Sequence, residues 1–293
     1  TDEMMREFKL AVSKVLTPHA SAILLDPEWG IPAAEARAQG AGLLLSYERS
    51  GYDNDRPGRM ADLLPNMSVR RLKERGADAV KVLIDHPPCE KKEINDEKHA
   101  FVERIGSECR AEGLPHFLEF VGYDENGGDE KGLEYAKRKP EIVIGSMREF
   151  SKERYGVDVL KVEIPVNLKF AEGAAAFSGQ SAYSKEQALE YYRAAAEAAE
   201  RPFIYLSAGV SNDQFTESLR WAGEAGVDFA GVLCGRATWA DGIPVYGKSG
   251  VAAFEEWLQD QGVKNIEAVN AALDKAGSWY GFYGAESADA LAE

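Results

Sequence analysis

The chain has 293 residues, 45% hydrophobic and 28% charged, enough to bury a sizeable core without disulfide staples. Its 34 Lys and Arg stand against 49 Asp and Glu, a net charge of −15 with the cations scattered among acids. These figures exclude a disordered or collagen-like chain and a small secreted scaffold. They also argue against nucleic acid as a main partner, which needs a basic stripe. Three cysteines without C-x-x-C spacing provide neither a disulfide framework nor a zinc knuckle, and a reducing cytoplasm is the simplest compartment. No run approaches the roughly 18 apolar residues of a membrane span, and no signal-peptide pattern opens the chain.

The chain begins at Thr1, inside a helical pattern over residues 2–16, so residues are expected to precede it in the native protein. Seven short apolar runs follow: 21–27 (SAILLDP), 42–48 (GLLLSYE), 79–86 (AVKVLIDH), 115–123 (PHFLEFVGY), 157–166 (VDVLKVEIPV), 202–210 (PFIYLSAGV) and 229–239 (FAGVLCGRATW). Each ends in polar residues or glycine, as strands buried on both faces do. Helical spacing occupies 67–75, 95–112, 184–200, 212–225 and 251–261, and Ser184 with Gln187 forms a capping pattern. Glycines 76, 156 and 226 each end a helical or polar stretch just before a strand.

Alternating strands and helices predict a parallel sheet. No G-x-G-x-x-G follows a strand, so the expected fold is an α/β chain of the (β/α)8 TIM-barrel class, with its first strand missing before Thr1. A single domain over 1–293 is expected, with polar insertions near 49–62 and 124–155 and a C-terminal helical tail. The Gly127-Gly128 region reads as a surface loop or extra helix without chemistry. The aromatic stretch after Gly277 reads as a C-terminal arm or a frayed tail.

Alternation also sorts side chains by face. Within 157–166, Leu160, Val162 and Ile164 form a wholly apolar set suited to the helices, which sends Val159, Lys161 and Glu163 into the barrel. A buried lysine is either half of an ion pair, with Glu163 or Glu119, or a Schiff-base nucleophile freed by a lowered pKa. Lys81 repeats the pattern, and two lysines facing one interior lower each other's pKa. Glu119 faces inward with Phe117 and Val121, as a general acid/base or a charge partner for the lysines. Ser207-Ala208-Gly209 and Gly235-Arg236 end the last two strands, where barrels often bind phosphate: small residues expose backbone N–H groups and Arg236 adds a fork of donors. Asp26 and Asp85 read equally as hydroxyl acceptors or loop caps. His19, His86, His99 and His116 are too spread for a metal site, and Cys234 reads as a core residue.

The motifs VDVLKVEIPVN, FLEFVGYDE, DAVKVLIDH, YLSAGVS and GVLCGRATWA, with TPHASAILLDPEWG and RIGSEC, resemble the class I tagatose-1,6-bisphosphate aldolases from about Phe8 to Ala271. The resemblance implies a cytoplasmic, oligomeric β/α-barrel lyase of lactose and galactose catabolism. Its substrate would be a phosphorylated ketose, with no metal, cofactor, nucleic acid or membrane involved. It further implies Lys161 as the Schiff-base lysine, Glu119 as the acid/base and Lys81 as the second active-site lysine. Ser207, Gly209, Gly235 and Arg236 fall on its phosphate-binding turns. Its members begin with a strand carrying Asp-Gln-Arg, which nothing from Thr1 onward supplies. Two rivals stand beside this reading: an aldolase for 6-deoxy-6-sulfofructose 1-phosphate, and a sugar-phosphate sensor that binds without turnover.

Overall fold

In the computed structural model, which describes residues 1–49 and 57–291, all seven apolar runs form strands. They are β1 (Ala22–Leu25), β2 (Gly42–Ser46), β3 (Ala79–Asp85), β4 (His116–Val121), β5 (Val159–Glu163), β6 (Phe203–Leu206) and β7 (Val232–Leu233). Every strand pairs in parallel with its neighbours in chain order, so the sheet curls into a nearly closed barrel. β1 and β7 are its two edges. β7 has a neighbour on one side only, and its ladder holds just two residue pairs, Tyr205 with Val232 and Leu206 with Leu233. The run 229–239 is therefore not one strand: after Gly235 the chain turns into a short helix.

Ten α-helices are described outside or beside the sheet. They are α1 (Asp2–Leu16), α2 (Ile31–Glu35), α3 (Val69–Glu74), α4 (Lys92–Glu112), α5 (Leu133–Phe150), α6 (Lys185–Ala198), α7 (Asn212–Glu224), α8 (Arg236–Trp239), α9 (Ile243–Trp257) and α10 (Val263–Ala271). None is long and apolar enough to cross a membrane. The Ser184–Gln187 capping box starts α6, with the Ser184 hydroxyl accepting the Gln187 N–H and the Gln187 amide oxygen accepting the Ser184 N–H. α1, before one edge strand, and α9, after the other, pack together; Phe8 stacks on Phe254 at 4.5 Å.

The region 124–155, expected as a polar insertion, is in large part helical. Its larger part is α5, whose buried Tyr135, Ile142, Val143, Met147 and Phe150 pack on the strands. Pro140 lies inside this helix and supplies no N–H to the carbonyl one turn earlier. That carbonyl, on Ala136, accepts the Tyr183 hydroxyl instead, at 3.3 Å. The region 49–62 leaves and rejoins β2 through an antiparallel bridge between Glu48 and Leu63, while residues 50–56 lie outside the described residues.

The two strand faces carry different cores, as alternation requires. Leu160, Val162 and Ile164 belong to the large cluster under the helices. Leu44, Ala79, Phe117, Val159 and Ile204 form a smaller cluster inside the barrel, near the strand starts. Trp279 closes that end, its ring edge-on to Phe117 at 5.6 Å. The C-terminal aromatic stretch is thus a plug, tied by Gly277 N–H to Phe229 O at 2.8 Å and by the Tyr283 hydroxyl to Asp158 O at 2.7 Å. Replacing half-buried Trp279 with alanine should cost about 2 kcal/mol, below the range for a fully buried ring. A lower urea midpoint at unchanged m-value is the expected readout.

Candidate active site

Above the apolar floor, the inward positions of the middle strands turn charged. Lys81 on β3, Glu119 on β4 and Lys161 on β5 are only 5–7% exposed. Glu119 and Lys161 are direct register partners across the β4–β5 ladder. One carboxylate oxygen, Glu119 Oε2, lies 2.7 Å from Lys81 Nζ and 2.8 Å from Lys161 Nζ. Lys81 also meets Glu48 Oε1 at 2.5 Å. The four groups form a line of alternating charge, Glu48–Lys81–Glu119–Lys161, with zero net charge.

Position in that line separates the two lysines. Burial opposes the charge on both. Lys81 lies between two carboxylates, and Glu48 and Glu119 together outweigh burial and raise its pKa above the ordinary lysine value. Lys161 stands at the end with one carboxylate; burial dominates, the nearby Lys81 charge adds to it, and its pKa falls below the ordinary value. Mutual repulsion therefore lowers only one of the two lysines, contrary to the symmetrical expectation. Burial pushes Glu119 up, but the two ammoniums more than offset it and its pKa ends lowered. Burial raises Glu48 against the pull of Lys81, and its Oε2 has no hydrogen-bond partner among the described residues. The result is a lysine amine that gives up its proton more easily than an ordinary lysine, beside a carboxylate that can accept one.

Glu163 stands two residues beyond Lys161 on the same face. Its Oε2 accepts the Gly122 N–H at 2.9 Å, and its Oε1 lies 3.1 Å from Lys139 Nζ. Lys139 comes from α5, which approaches closely because residue 122 is glycine. A Cβ there would meet Ile142 Cγ2 and the Tyr135 hydroxyl, each at 2.6 Å. Glu48 and Lys139 are the two charged groups that sequence reasoning passed over. For Glu48 the signal was present: Leu44, Ser46 and Glu48 alternate on the inward face, as Val159, Lys161 and Glu163 do.

The structure brings the two small-residue turns together. Val210 N–H bonds Ser207 O at 3.1 Å, and both residues between them have positive φ, 50° at Ala208 and 77° at Gly209. Alanine adopts this left-handed conformation at a cost of about 1–2 kcal/mol. The exposed Arg236 guanidinium lies against this turn: a Cβ on Gly209 would sit 3.2 Å from Arg236 Cζ. Gly235 joins β7 to Arg236, and it packs against the Trp239 indole.

The other candidates take structural places. Asp26 Oδ1 caps its own turn by accepting the N–H groups of Glu28 and Trp29, while Oδ2 meets Lys9 at 2.5 Å. Asp85, at the top of β3, lies 3.7 Å from Arg59, and burial lifts its pKa to about 6. Lys98 donates to the Tyr123 hydroxyl at 3.2 Å, and burial lowers its pKa to about 8. His86 and His99 share a hydrogen bond of 3.2 Å between Nε2 atoms, and His86 also meets Ser146 Oγ. His116 is fully buried at the start of β4, and burial lowers its pKa to about 4. Cys234 packs on the helix-side core, and burial raises its thiol to about 12.

The asymmetry between the lysines is testable by reductive methylation with formaldehyde and borohydride, followed by peptide mass mapping. Between pH 7 and 8, Lys161 should be labelled well before Lys81. In Lys81→Met, loss of the neighbouring cation should raise the Lys161 pKa, moving the labelling curve to higher pH and slowing labelling near neutrality. Lys81→Arg should leave the curve in place.

The chain is 53% identical over 281 residues to tagatose 1,6-diphosphate aldolase 2 of Enterococcus faecalis, covering 96% of this chain and 84% of that one. It is 51% identical over 281 residues to tagatose 1,6-diphosphate aldolase of Listeria monocytogenes, covering 96% and 82%. Among solved structures, an archaeal fructose 1,6-bisphosphate aldolase shares the fold with a TM-score of 0.53 at 16% identity, over 92% of this chain and 82% of that one. The DeoC/LacD family aldolase model matches residues 1–241, and the chain belongs to that aldolase family.

Proposed function

We propose that this chain is a class I aldolase that cleaves D-tagatose 1,6-bisphosphate to glycerone phosphate and D-glyceraldehyde 3-phosphate through a Schiff base on Lys161. The observation that carries the proposal is the end position of Lys161 in the buried charge line, with a depressed pKa and one carboxylate at 2.8 Å. The relatives named above, more than half identical over most of the chain, support the choice of substrate.

The neutral Lys161 amine adds to the C2 carbonyl, and the carbinolamine loses water to become an iminium. Glu119 takes the C4 hydroxyl proton while the C3–C4 bond breaks. The bonding pair moves into the iminium, leaving an enamine, and the aldehyde half departs. Protonation at C3 restores an iminium, and water releases glycerone phosphate and the free lysine. Lys81 stays charged throughout and helps keep Lys161 neutral. Ser207, Ala208, Gly209, Gly235 and Arg236 hold the 1-phosphate, and Glu163 accepts a substrate hydroxyl. No step needs a metal. A cytoplasmic location belongs to the same reading, as does assembly of like subunits, for which exposed Met4, Met5 and Ile243 offer apolar surface.

Borohydride trapping with glycerone phosphate should place the reduced adduct on Lys161 and give none in Lys161→Met. An adduct on another lysine, or binding without any adduct, would sink the proposal, the second outcome favouring a sensor. Glu119→Gln should slow turnover about 10²–10⁴-fold. Arg236→Ala should raise KM about 10–100-fold through loss of a charge-assisted bond to phosphate. A chelator should leave the rate unchanged. Preference for 6-deoxy-6-sulfofructose 1-phosphate over the tagatose ester would overturn the substrate assignment.

A further inference from the structure

Glu163 and Lys139 form a pair that the bond-breaking steps do not use. On β5, Glu163 stands about 6.6 Å nearer the strand ends than Lys161, at a rise of ~3.3 Å per residue. It is 6% exposed, and its carboxylate is pinned from two sides, by Gly122 N–H on Oε2 and by Lys139 Nζ on Oε1. An ionised carboxylate offers about four acceptor positions. Two donors therefore fix its orientation and leave it capacity for a third.

Lys139 is set aside for this carboxylate in a way its neighbours are not. Arg59 serves Glu130 and Asp85, Arg138 serves Asp124 and Glu125, and Lys98 is held by the Tyr123 hydroxyl. Lys139 reaches Glu163 from outside the barrel, past a glycine whose missing side chain admits α5. On the aldolase reading, with C2 bonded to Lys161 and the 1-phosphate on the β6–β7 turns, the aldehyde half of the substrate would extend along β5 toward Glu163. A carboxylate there accepts a hydroxyl, and the 6-phosphate carried by the same half must lie away from it.

We infer that Lys139 is a positioning residue that holds the Glu163 carboxylate as the acceptor for the hydroxyl on the aldehyde half of the substrate, so that the pair determines specificity. This rests on the aldolase reading of Lys161. The hydroxyl concerned is that of C5, which belongs to the departing aldehyde. A site built around such an acceptor discriminates against an analogue lacking the hydroxyl, because the buried carboxylate then loses a donor.

The test runs the reaction in the aldol direction, with glycerone phosphate as donor. Two acceptors of equal length are compared: glyceraldehyde 3-phosphate, and 3-phosphooxypropanal, which lacks the hydroxyl. The unaltered protein should favour the first by about 10–100-fold in kcat/KM, the range for one hydrogen bond to a charged group. In Lys139→Met that ratio should fall toward one, mainly through loss on the hydroxylated acceptor, and Lys139→Arg should restore most of it. Glu163→Gln, which keeps the shape and removes the charge, should give an intermediate ratio and serves if Lys139→Met folds poorly. A Lys139→Met protein that loses rate equally on both acceptors would overturn the inference, because a purely structural salt bridge predicts that result. Borohydride trapping of glycerone phosphate alone separates the two levels: a Lys161 adduct without acceptor discrimination overturns only the role of Lys139, whereas no adduct in the unaltered protein overturns the aldolase reading and this inference with it.

Discussion

The site depends on one line of buried charge, Glu48–Lys81–Glu119–Lys161. Each ion alone would cost several kcal/mol to take out of water, and removing one partner from such a line strands the others. Alternation sets every ion of the line beside one of opposite sign, so the barrel interior tolerates it. The order within the line does the chemical sorting. An inner lysine with two carboxylates is held as a cation, whereas a terminal lysine with one carboxylate is the member from which burial most easily removes a proton. A readily deprotonated lysine and a persistent cation thus arise from the same residue type on inward positions of β5 and β3, without any difference in local sequence between AVKVL and DVLKVE that would announce it.

The line is shielded from solvent on two sides by what lies beneath and behind it. The floor is apolar, made by Leu44, Ala79, Phe117, Val159 and Ile204 and closed by Trp279. The outward faces of the same strands are sealed by the helices, α5 most closely where Gly122 admits it. Low polarity on those sides strengthens each contact in the line and makes an unpaired member costly. Parallel strands are well suited to this division, since one periodicity supplies both an apolar outer face and a charged inner one.

That periodicity is why so much could be read beforehand. The seven strands, the inward placing of Lys81, Glu119, Lys161 and Glu163, and the nearness of the 207–209 and 235–236 turns all follow from alternation and chain order. Glu48 was open to the same reasoning, yet it closes a run that otherwise reads as plain apolar strand. Lys139 was not open to it. Its helix is disguised by the run Lys137-Arg138-Lys139 followed by Pro140, a breaker tolerated only because a hydroxyl 43 positions further on, that of Tyr183, accepts the role of the missing N–H. The pairing of Lys139 with Glu163 depends on helix approach across Gly122, a three-dimensional fact. The unequal pKa shifts of the two lysines were hidden for the same reason: they depend on how many carboxylates each one meets, which only the fold decides.

The two ends of the substrate would then be met by different physics. On the β6–β7 side the turn spends backbone strain at Ala208 to shape a small-residue bend, and Arg236 lies against it as a single exposed cation. On a chain of net charge −15 such a spot has no general positive field behind it, so discrimination there must come from short-range donors. On the β5 side the group presented is an acid held by a lysine, which has little to offer an anion and much to offer a hydroxyl. On the proposed reading both ends of the bisphosphate carry an anion, so the direction of binding rests on the C5 hydroxyl, which only the β5 side is built to accept, and that direction would bring Glu119, rather than Glu163, to the hydroxyl whose proton must leave.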